Sequence, residues 1–420
     1  MNHIQKNRIQ RGFTIVELLV VIVVIGILAA ITIVSYSAIT KNVKETTALN
    51  ALSDARSKLE RYKSDNSQYP TTQSQFDTEI GATGIVWTGT SSSYCISTLN
   101  GDISYRATEN AKPSVGVCSF GTSWSENVAV GSRAWTDIAH SANGQKVVAS
   151  AGPSSNLYTS TDSGATWTTR GTAQQWCQVA SSADGASLVA TTDGCGDDLG
   201  DIYFSTDSGV TWSLKGAPTN LRWCGIASSS DGSKLIAESS GCSEAQGYIF
   251  TSADGGDTWT QRASAGYHTW VDVSSSSDGV RLVAAEYGGN IYTSTDSGAT
   301  WVARTAAGSR NWSNIVSSND GTKLVATVNG GYIYTSINGG ETWTQRTSAG
   351  SGTWSAAATD PTGTTMAAAR STGYIYTSND SGATWTQRVT SGSRSWKSIS
   401  VGPTGIVAGV YNGYLYRSTD

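Results

Sequence analysis

The sequence predicts a multi-domain chain in which a long N-terminal helix precedes an all-β repeat domain. The helix is indicated by an almost continuous apolar run over residues 15–34, which is long enough to cross a bilayer. The β domain is indicated by the phrase Ser-x-Asp-x-Gly-x-x-Trp, which recurs through the C-terminal three quarters of the chain. Residues 66–119 follow neither pattern, and we expect a small α+β domain there, too small to be stable alone.

The recurring phrase sets the period of the repeat domain. Its six complete copies end at Trp167, Trp212, Trp259, Trp301, Trp343 and Trp385, and the last three intervals are 42 residues each. A second tryptophan series runs beside it, at Trp135, Trp176, Trp223, Trp270, Trp312, Trp354 and Trp396. A period of about 40–45 residues with four short strands in each unit is typical of a β-propeller.

A split copy of the phrase predicts the number of blades. The sequence ends with Ser418-Thr-Asp420, and Gly121-Thr-Ser-Trp124 stands at the start of the repeat region. Joined through Phe120, the two pieces restore the phrase, so we expect the strand around Trp124 to complete the last blade. Pairing of the two ends removes open strand edges, which favour aggregation. The prediction is a closed ring of seven blades over residues 120–420.

Blade 5 shows how one unit is read. Alternating apolar residues, separated by the turn signals Asn319-Asp-Gly321 and Asn329-Gly-Gly331, exclude a helical interpretation. The predicted strands are 312–316, 324–328, 332–336 and 342–346.

The recurring phrase resembles the Asp-box, the BNR or sialidase-type repeat. Its chemistry is that of a turn: Ser and Asp side chains bond to backbone groups, Gly permits a positive φ, and Trp fills space between layers. Asn338 replaces the aspartate in blade 5, which removes the charge but keeps the capping geometry, so metal binding or acid catalysis is not the general purpose of the phrase. The structural Asp-box positions are Asp162, Asp207, Asp254, Asp296, Asn338, Asp380 and Asp420.

The N-terminal segment has a basic leader over residues 1–12 and one acidic residue, Glu17, inside the apolar run. An acid within such a run is costly and usually functional. The string from Arg11 to Val20 resembles the prepilin signal of type IV pilins and of type II secretion pseudopilins. The resemblance implies cleavage after Gly12 by a prepilin peptidase and methylation of the Phe13 amine. It also implies that Glu17 neutralises the amine of a neighbouring subunit during filament assembly.

This resemblance divides the first part of the chain into a leader (1–12), a pilin helix (13–65, with the membrane span at 15–34) and a small pilin head (66–119). Basic residues before the span favour a cytoplasmic N-terminus and an extracytoplasmic C-terminus. We therefore expect insertion in the inner membrane first, and then a place in an extracellular filament or on the cell surface. An ordinary secretory signal or a simple single-span anchor remains the alternative.

The cysteines and the charge indicate the compartment of the protein and argue against two classes of ligand. The six cysteines suggest three disulfides in an oxidising compartment, with free buried thiols as the alternative: Cys95–Cys118, Cys177–Cys195 and Cys224–Cys242. No CxxC motif occurs, which argues against zinc. The net charge of −4 and the lack of a basic stripe argue against nucleic-acid binding. No cofactor is predicted.

The longest loops of the repeat domain predict a ligand-binding rim. Residues 192–201 in blade 2 and 238–247 in blade 3 join the second and third strands, on the side opposite the Asp-box turns. The candidate ligand face comprises Arg133, Gln175, Arg222, His268, Arg310, Arg394, Asp197 and Asp198. A solvated polar surface is the alternative, and a Ca²⁺ site formed by Asp193, Asp197, Asp198 and Asp201 lacks an ordered ligand motif.

The Asp-box resemblance also raises the possibility of catalysis. Sialidases need an arginine cluster, a tyrosine nucleophile paired with a glutamate, and an aspartate acid/base; here the Arg-Ile-Pro motif is absent and no Tyr–Glu pair can be assigned. We therefore expect no enzyme, but a minor pilin or pseudopilin whose propeller binds a glycan or protein surface, with other pilin subunits as partners. The alternatives are a cell-anchored sialidase-like glycoside hydrolase and a pseudopilin of a type II secretion system.

Overall fold

The computed structural model describes residues 43, 46–70, 76, 78–81, 85–89, 94–100, 103–108, 111–115, 123–192, 199–239 and 245–418. The chain divides into two compact units, Met1–Ala48 and Leu49–Asp420. The predicted leader, Gly12, Phe13, Glu17 and the span at 15–34 lie outside the described residues. In the part of the chain that is described, no helix is both long and apolar enough to cross a membrane.

A helix, α1, occupies residues 46–66. Leu52, Ala55 and Leu59 are completely buried, and their spacing of three and four residues places them on one face of the helix. The helix ends at Asn66, whose side-chain amide donates to the carbonyl of Tyr62 at 3.0 Å. Ser67 follows with φ of 62°, a left-handed conformation that stops the helix. The end of α1 therefore falls where the sequence predicts a stop.

A four-stranded antiparallel sheet follows the helix in the head. Its strands pair in chain order and are β1 (Ile85–Gly89), β2 (Tyr94–Asn100), β3 (Ile103–Thr108) and β4 (Ala111–Val115). The β2–β3 hairpin closes with Asn100 opposite Ile103.

The repeat region forms seven four-stranded antiparallel units, which we call blades. Blade 1 contains β6 (Ala134–His140), β7 (Val147–Gly152), β8 (Ser155–Ser160) and β9 (Thr168–Gln174). Blade 2 contains β10 (Trp176–Ser181), β11 (Leu188–Thr192), β12 (Ile202–Ser205) and β13 (Ser213–Leu214). Blade 3 contains β14 (Gly225–Ser228), β15 (Leu235–Glu238), β16 (Ile249–Ser252) and β17 (Thr260–Gln261).

The remaining blades repeat this order. Blade 4 contains β18 (Trp270–Ser275), β19 (Leu282–Gly289), β20 (Ile291–Ser294) and β21 (Val302–Arg304). Blade 5 contains β22 (Arg310–Ser317), β23 (Leu324–Gly331), β24 (Ile333–Ser336) and β25 (Thr344–Arg346). Blade 6 contains β26 (Gly352–Thr359), β27 (Met366–Arg370), β28 (Ile375–Ser378) and β29 (Thr386–Arg388). Short 3-10 turns follow blades 3, 4 and 6, at Ala263–Ala265, Thr305–Ala307 and Val389–Ser391.

Blade 7 joins the two ends of the repeat region. It contains β30 (Trp396–Gly402), β31 (Gly405–Val410), β32 (Leu415–Ser418) and, as its outermost strand, β5 (Trp124–Asn127). Trp124 pairs with Ser418 and Asn127 pairs with Leu415. The first strands of successive blades contact one another, and β30 contacts β6, so the blades form a closed, propeller-like ring. The pairing is the one that the split phrase predicts.

The hydrophobic core lies between blades rather than inside one layer. Each of seven buried clusters contains residues from two neighbouring blades, as when Val283 and Ile291 of blade 4 pack with Trp312 of blade 5. The first-strand tryptophans are at most 1% exposed, and they are Trp135, Trp176, Trp223, Trp270, Trp312, Trp354 and Trp396. Burying these large rings between layers supplies the main apolar contribution of the fold.

Backbone hydrogen bonds tie the first turns of the blades into a chain around the centre. Each turn donates one N–H to the carbonyl of the next blade, through the pairs Ala142–Ala183, Ala183–Ser230, Ser230–Ser277, Ser277–Asn319 and Asn319–Pro361. Thr404 of blade 7 links back to blade 1 with a side-chain bond to the carbonyl of Gly144 at 3.0 Å. Buried backbone groups between the blades are thereby paired, as a dry interior requires.

Candidate binding face of the propeller

The antiparallel order of the strands gives the ring two faces. The connections between second and third strands, together with the segments that enter the first strands, form what we call the loop face. The first turns and the Asp-box turns form the opposite face, the Asp-box face. On the loop face, each blade pairs with the segment entering the next blade: Ser155–Gln174, Gly200–Leu221, Gly247–His268, Gly289–Arg310, Gly331–Gly352, Gly373–Arg394 and Gly413–Arg133.

Three of the arginines predicted for a ligand rim pack against tyrosines of their own blades. The distances from the guanidinium carbon to the ring centre are 4.9 Å for Arg133 on Tyr158, 4.6 Å for Arg310 on Tyr334 and 4.4 Å for Arg394 on Tyr416. In each case Nε also donates to a backbone carbonyl three residues earlier, at 2.9–3.1 Å. These guanidinium groups are half-buried and already engaged, which favours a role in packing.

The other candidate rim positions differ from these three. Gln175 and Arg222 are half-buried and each directly precedes a first-strand tryptophan, one position later than the stacked arginines. Blade 6 carries Gly352 at the stacking position, and Arg370 from its second strand covers Tyr376 instead, at 4.8 Å. The cation over the third-strand tyrosine is therefore a repeated packing device that different positions can supply.

In blade 4, His268 takes the place of the stacked arginine and joins a polar cluster. His268 Nδ1 lies 2.9 Å from Glu286 Oε1, and the Tyr292 hydroxyl donates to Glu286 Oε2 at 3.2 Å. Burial and the Glu286 charge raise the pKa of Tyr292 to about 12. The sequence alone assigns no Tyr–Glu pair, whereas the structure brings Tyr292 and Glu286 into hydrogen-bond contact. The missing information was the strand register, which sets Trp270 opposite Glu286 across a bulge.

Exposed aromatic side chains lie on the loop face. Among the described residues, the tyrosines with exposed side chains are Tyr267 (51%), Tyr287 (39%) and Tyr411 (52%). Tyr267 precedes the first strand of blade 4, Tyr287 lies near the end of the second strand of blade 4, and Tyr411 lies between the second and third strands of blade 7. The sequence signal for them is an aromatic residue where blade 5 has Asn329, in a short loop of small residues. None of these tyrosines is among the residues predicted for the ligand face.

Several predicted site residues lie outside the described residues. They are Asp193, Asp197 and Asp198 of the weak Ca²⁺ hypothesis, the Asp-box residue Asp420, and Cys118, Cys195 and Cys242. Cys177 and Cys224 are each disulfide-bonded, but the three proposed pairings stay predictions. Asp201 closes its loop through its backbone, which bonds to Thr192. Within the described parts of the chain, no group of three His, Cys, Asp or Glu side chains is placed to hold a metal ion.

The Asp-box residues form a repeated hydrogen-bonded turn on the opposite face. In blade 4, Ser294 donates to Asp296 at 2.8 Å and accepts from the N–H of Gly298 at 2.9 Å. Thr300 donates both its N–H and its hydroxyl to Asp296, at 2.9 and 2.6 Å. These bonds lower the pKa of Asp296 to about 2. Asn338 makes the matching bonds to Ser336 and Thr342 in blade 5.

The first strands of the blades surround a central cavity of about 280 Å³. Asp137 and Asp272 line it, each two residues after a first-strand tryptophan. Asp137 accepts from the N–H of Val179 at 3.0 Å, and Asp272 accepts from the N–H of Ile315 at 2.8 Å. Each carboxyl group therefore reaches the next blade, and neither aspartate is among the site residues predicted from the sequence.

Burial dominates the electrostatics of this cavity. It raises the pKa of Asp137 to about 7 and, with the charge of Asp137 as a further cause, that of Asp272 to about 8. It lowers the pKa of His140 to about 3, and His140 Nδ1 lies 2.7 Å from the hydroxyl of Ser400. The cavity therefore holds groups whose uncharged forms are favoured, which fits an internal structural role.

The fold is shared with solved structures of low sequence identity. YCF48 from Cyanidioschyzon merolae superimposes with a TM-score of 0.54 at 20% identity, over 70% of this chain and 98% of that one. The GH74 enzyme of Niastella koreensis gives a TM-score of 0.56 at 16% identity, over 72% of this chain and 53% of that one. At such identities the likeness concerns the fold alone.

The N-terminal region is similar to proteins of pili and secretion systems. Residues 7–33 match the prokaryotic N-terminal methylation motif. This motif implies processing by a prepilin peptidase, membrane insertion and export, and assembly with other pilins. Core protein G of the Dickeya chrysanthemi type II secretion system is 39% identical over 67 residues, which are 16% of this chain and 44% of that protein. The chain thus spans about half the length of such secretion relatives.

A pilin matches over more of its own length. The type IV wide pilus major component PilA4 of Thermus thermophilus is 34% identical over 92 residues, which are 20% of this chain and 70% of that protein. The N-terminal region is therefore that of type IV pilins and type II secretion pseudopilins, and the chain belongs to the type IV pilin family.

Proposed function

We propose that the chain is a minor pilin or pseudopilin whose propeller binds a glycan or protein surface outside the cell. The observation that supports binding is the position of Tyr267, Tyr287 and Tyr411, whose exposed rings all belong to the loop face. Tyrosine combines a large apolar ring with a polar tip at low conformational-entropy cost, and it is enriched where proteins bind partners.

The size of the repeat region supports a minor position in a filament. A ring of seven blades is bulky beside a single pilin helix, so a copy on every subunit would crowd its neighbours. Glu17 lies within the matched methylation motif and supplies the carboxylate that family assembly uses. We expect the chain to be a small fraction of isolated filaments. Quantitative mass spectrometry that found it as the bulk subunit would contradict this part of the proposal.

Catalysis is the second candidate function, because the Tyr292–Glu286 contact provides the pair that a sialidase-type mechanism needs. The raised pKa of Tyr292 opposes it, since a tyrosine nucleophile requires easier ionisation. The arginines of blades 1, 5 and 7 are stacked on tyrosines and so are poorly placed to clamp a substrate carboxylate. We therefore propose binding without hydrolysis. Release of sugar from fluorogenic glycosides, lost in Tyr292→Phe, would instead establish the enzyme.

The binding proposal is tested with cells that display the full-length chain. The loop-face variant Tyr267→Ala/Tyr287→Ala/Tyr411→Ala is compared with an Asp-box-face control, Val210→Ala/Ile337→Ala, whose side chains are 55% and 65% exposed. We expect adherence to host or bacterial cells to fall in the first variant and to persist in the control. Equal adherence of both variants would overturn the assignment of the face. Export of substrates that depends on the chain, without adherence, would favour the type II secretion alternative.

A further inference from the structure

Blade 4 departs from the repeated packing at two positions that touch each other. Where blades 5 and 7 stack Arg310 and Arg394 on a tyrosine, blade 4 has His268. Opposite the first-strand tryptophan, where blade 5 has Val328 and blade 7 has a valine as well, blade 4 has Glu286. A half-buried carboxylate costs more than a valine at such a position, so the exchange favours a purpose other than packing.

The hydrogen bonds of Glu286 hold its carboxylate in one position and leave it partly exposed to solvent. Oε1 faces His268 Nδ1 at 2.9 Å, and Oε2 accepts from the Tyr292 hydroxyl and the N–H of Asn290, each at 3.2 Å. A Cβ on Gly289 would lie 2.0 Å from Oε2, so only glycine leaves room for the carboxylate. The side chains of His268 and Glu286 remain 29% and 18% exposed, which leaves polar edges that a ligand can reach.

Two exposed aromatic rings are the immediate sequence neighbours of this pair. Tyr267 precedes His268, and its ring lies 4.8 Å from that of Tyr248 in blade 3. Tyr287 follows Glu286, and its N–H donates to the carbonyl of Thr269 at 2.8 Å, which holds the loop against the entering segment. Two exposed rings, a fixed carboxylate and an imidazole thus belong to one short stretch of the loop face in blade 4.

We propose that Tyr267, His268, Glu286 and Tyr287 form a binding site for an uncharged oligosaccharide. The apolar C–H face of a sugar ring packs on aromatic rings, and its hydroxyl groups donate to a carboxylate and bond to an imidazole. The carboxylate disfavours acidic sugars, and Arg310 of the neighbouring blade 5 is stacked on Tyr334 and offers them no clamp. This inference rests on the proposed binding role of the loop face and narrows its ligand to neutral carbohydrate.

The test uses the full-length chain in detergent micelles on an array of neutral and acidic glycans, followed by titration calorimetry with the best neutral glycan. The main variant, His268→Arg/Glu286→Val, gives blade 4 the residues that blade 5 already carries, so it should keep the melting temperature. Tyr287→Ala is the second variant, because its ring is exposed and its loss leaves the packing intact. Tyr411→Ala in blade 7 is a third variant that probes the rest of the loop face, and Val210→Ala/Ile337→Ala on the Asp-box face is the control.

We expect selective binding of neutral glycans, weakened about tenfold or more in the double variant and in Tyr287→Ala, with the control unchanged. Binding that survives both blade 4 variants but is lost in Tyr411→Ala would overturn the site and leave the loop-face proposal standing. Selective binding of acidic glycans would overturn the ligand class. If the chain binds no glycan but still mediates adherence that depends on the loop face, this inference alone is overturned. If it shows neither glycan binding nor adherence, the proposed function is overturned as well.

Discussion

Replacing Asp272 by asparagine should change how the stability of the propeller depends on pH. The Asp272 carboxyl is 6% exposed beside the central cavity, and three N–H groups point at it, from Val273, Ile315 and the Asn314 amide. Those donors favour the ionised form, but burial opposes it and prevails, so the pKa rises from 3.8 to about 8. Asparagine has nearly the same shape and does not titrate.

The raised pKa decides whether the free energy of unfolding rises or falls with pH. Between about pH 5 and pH 7 the folded chain holds a proton on Asp272 that the unfolded chain has released, so the free energy of unfolding falls as pH rises, by about 1.4 kcal/mol per pH unit for each such carboxyl. Asp137, with its pKa raised to about 7, adds a second contribution of the same sign. His140 acts oppositely, because burial lowers its pKa to about 3 and the unfolded chain alone binds a proton on it below about pH 6.5. Asp-box carboxylates such as Asp296 also act oppositely, but their lowered pKa confines their effect to more acidic conditions.

Urea unfolding at closely spaced pH values, followed by the fluorescence of the buried tryptophans, measures this slope. We expect the free energy of unfolding of the wild type to decline between about pH 5 and pH 7. In Asp272→Asn this decline should be less steep, by about 1.4 kcal/mol per pH unit. Asp137→Asn, at the equivalent position of blade 1, should also make the decline less steep. A slope between about pH 5 and pH 7 that is the same in Asp272→Asn as in the wild type would show that Asp272 is ionised in the folded chain and would refute the reasoning.

Three further predictions concern packing, turns and assembly. Trp312→Ala should lower the free energy of unfolding by about 3–5 kcal/mol, because the ring is completely buried between two blades; a urea midpoint near the wild-type value would contradict this. Ser294→Ala should cost about 1–3 kcal/mol by leaving the Gly298 N–H unpaired, whereas Asp296→Asn should leave the midpoint unchanged, since Asn338 makes the same bonds in blade 5. Glu17→Val should leave membrane insertion intact but remove the chain from sheared filaments; unchanged recovery in filaments, measured by immunoblot, would argue against the assembly role.

The repeat architecture was predictable because each blade uses the same local signals. In blade 5 the predicted strands are 312–316, 324–328 and 332–336. Their ends lie within about three residues of the ends of β22, β23 and β24. The predicted fourth strand at 342–346 is shorter in the structure, where β25 begins at Thr344, because the Asp-box turn extends to Trp343. The pairing that closes the ring was also predictable, since Trp124 and Ser418 belong to the two halves of one split phrase.

The blade 4 cluster was not predictable because it depends on register and on contacts between segments far apart in sequence. A bulge between Trp270 and Asp272 decides that Glu286, not its neighbour, faces the tryptophan. Periodicity places residues on faces but does not place a bulge. The rim arginines were selected for their charge, whereas their stacking on third-strand tyrosines is visible only with side chains in place.

The way in which the chain enters the ring has a mechanical consequence. A pull on the anchor acts first on β5, which four residue pairs hold to β32, before it reaches the first strand of blade 1. Detachment of β5 would release the segment from Trp124 to Gly131, up to the backbone bonds between Arg133 and Gly413, an extension of roughly 27 Å at about 3.3–3.6 Å per residue. The other blades would stay linked by the backbone bonds around the centre. Blade 7 would then act as a force-sensitive extender between filament and ligand, seen in single-molecule pulling as a first step of that length; a first step that unfolds a whole blade would contradict it.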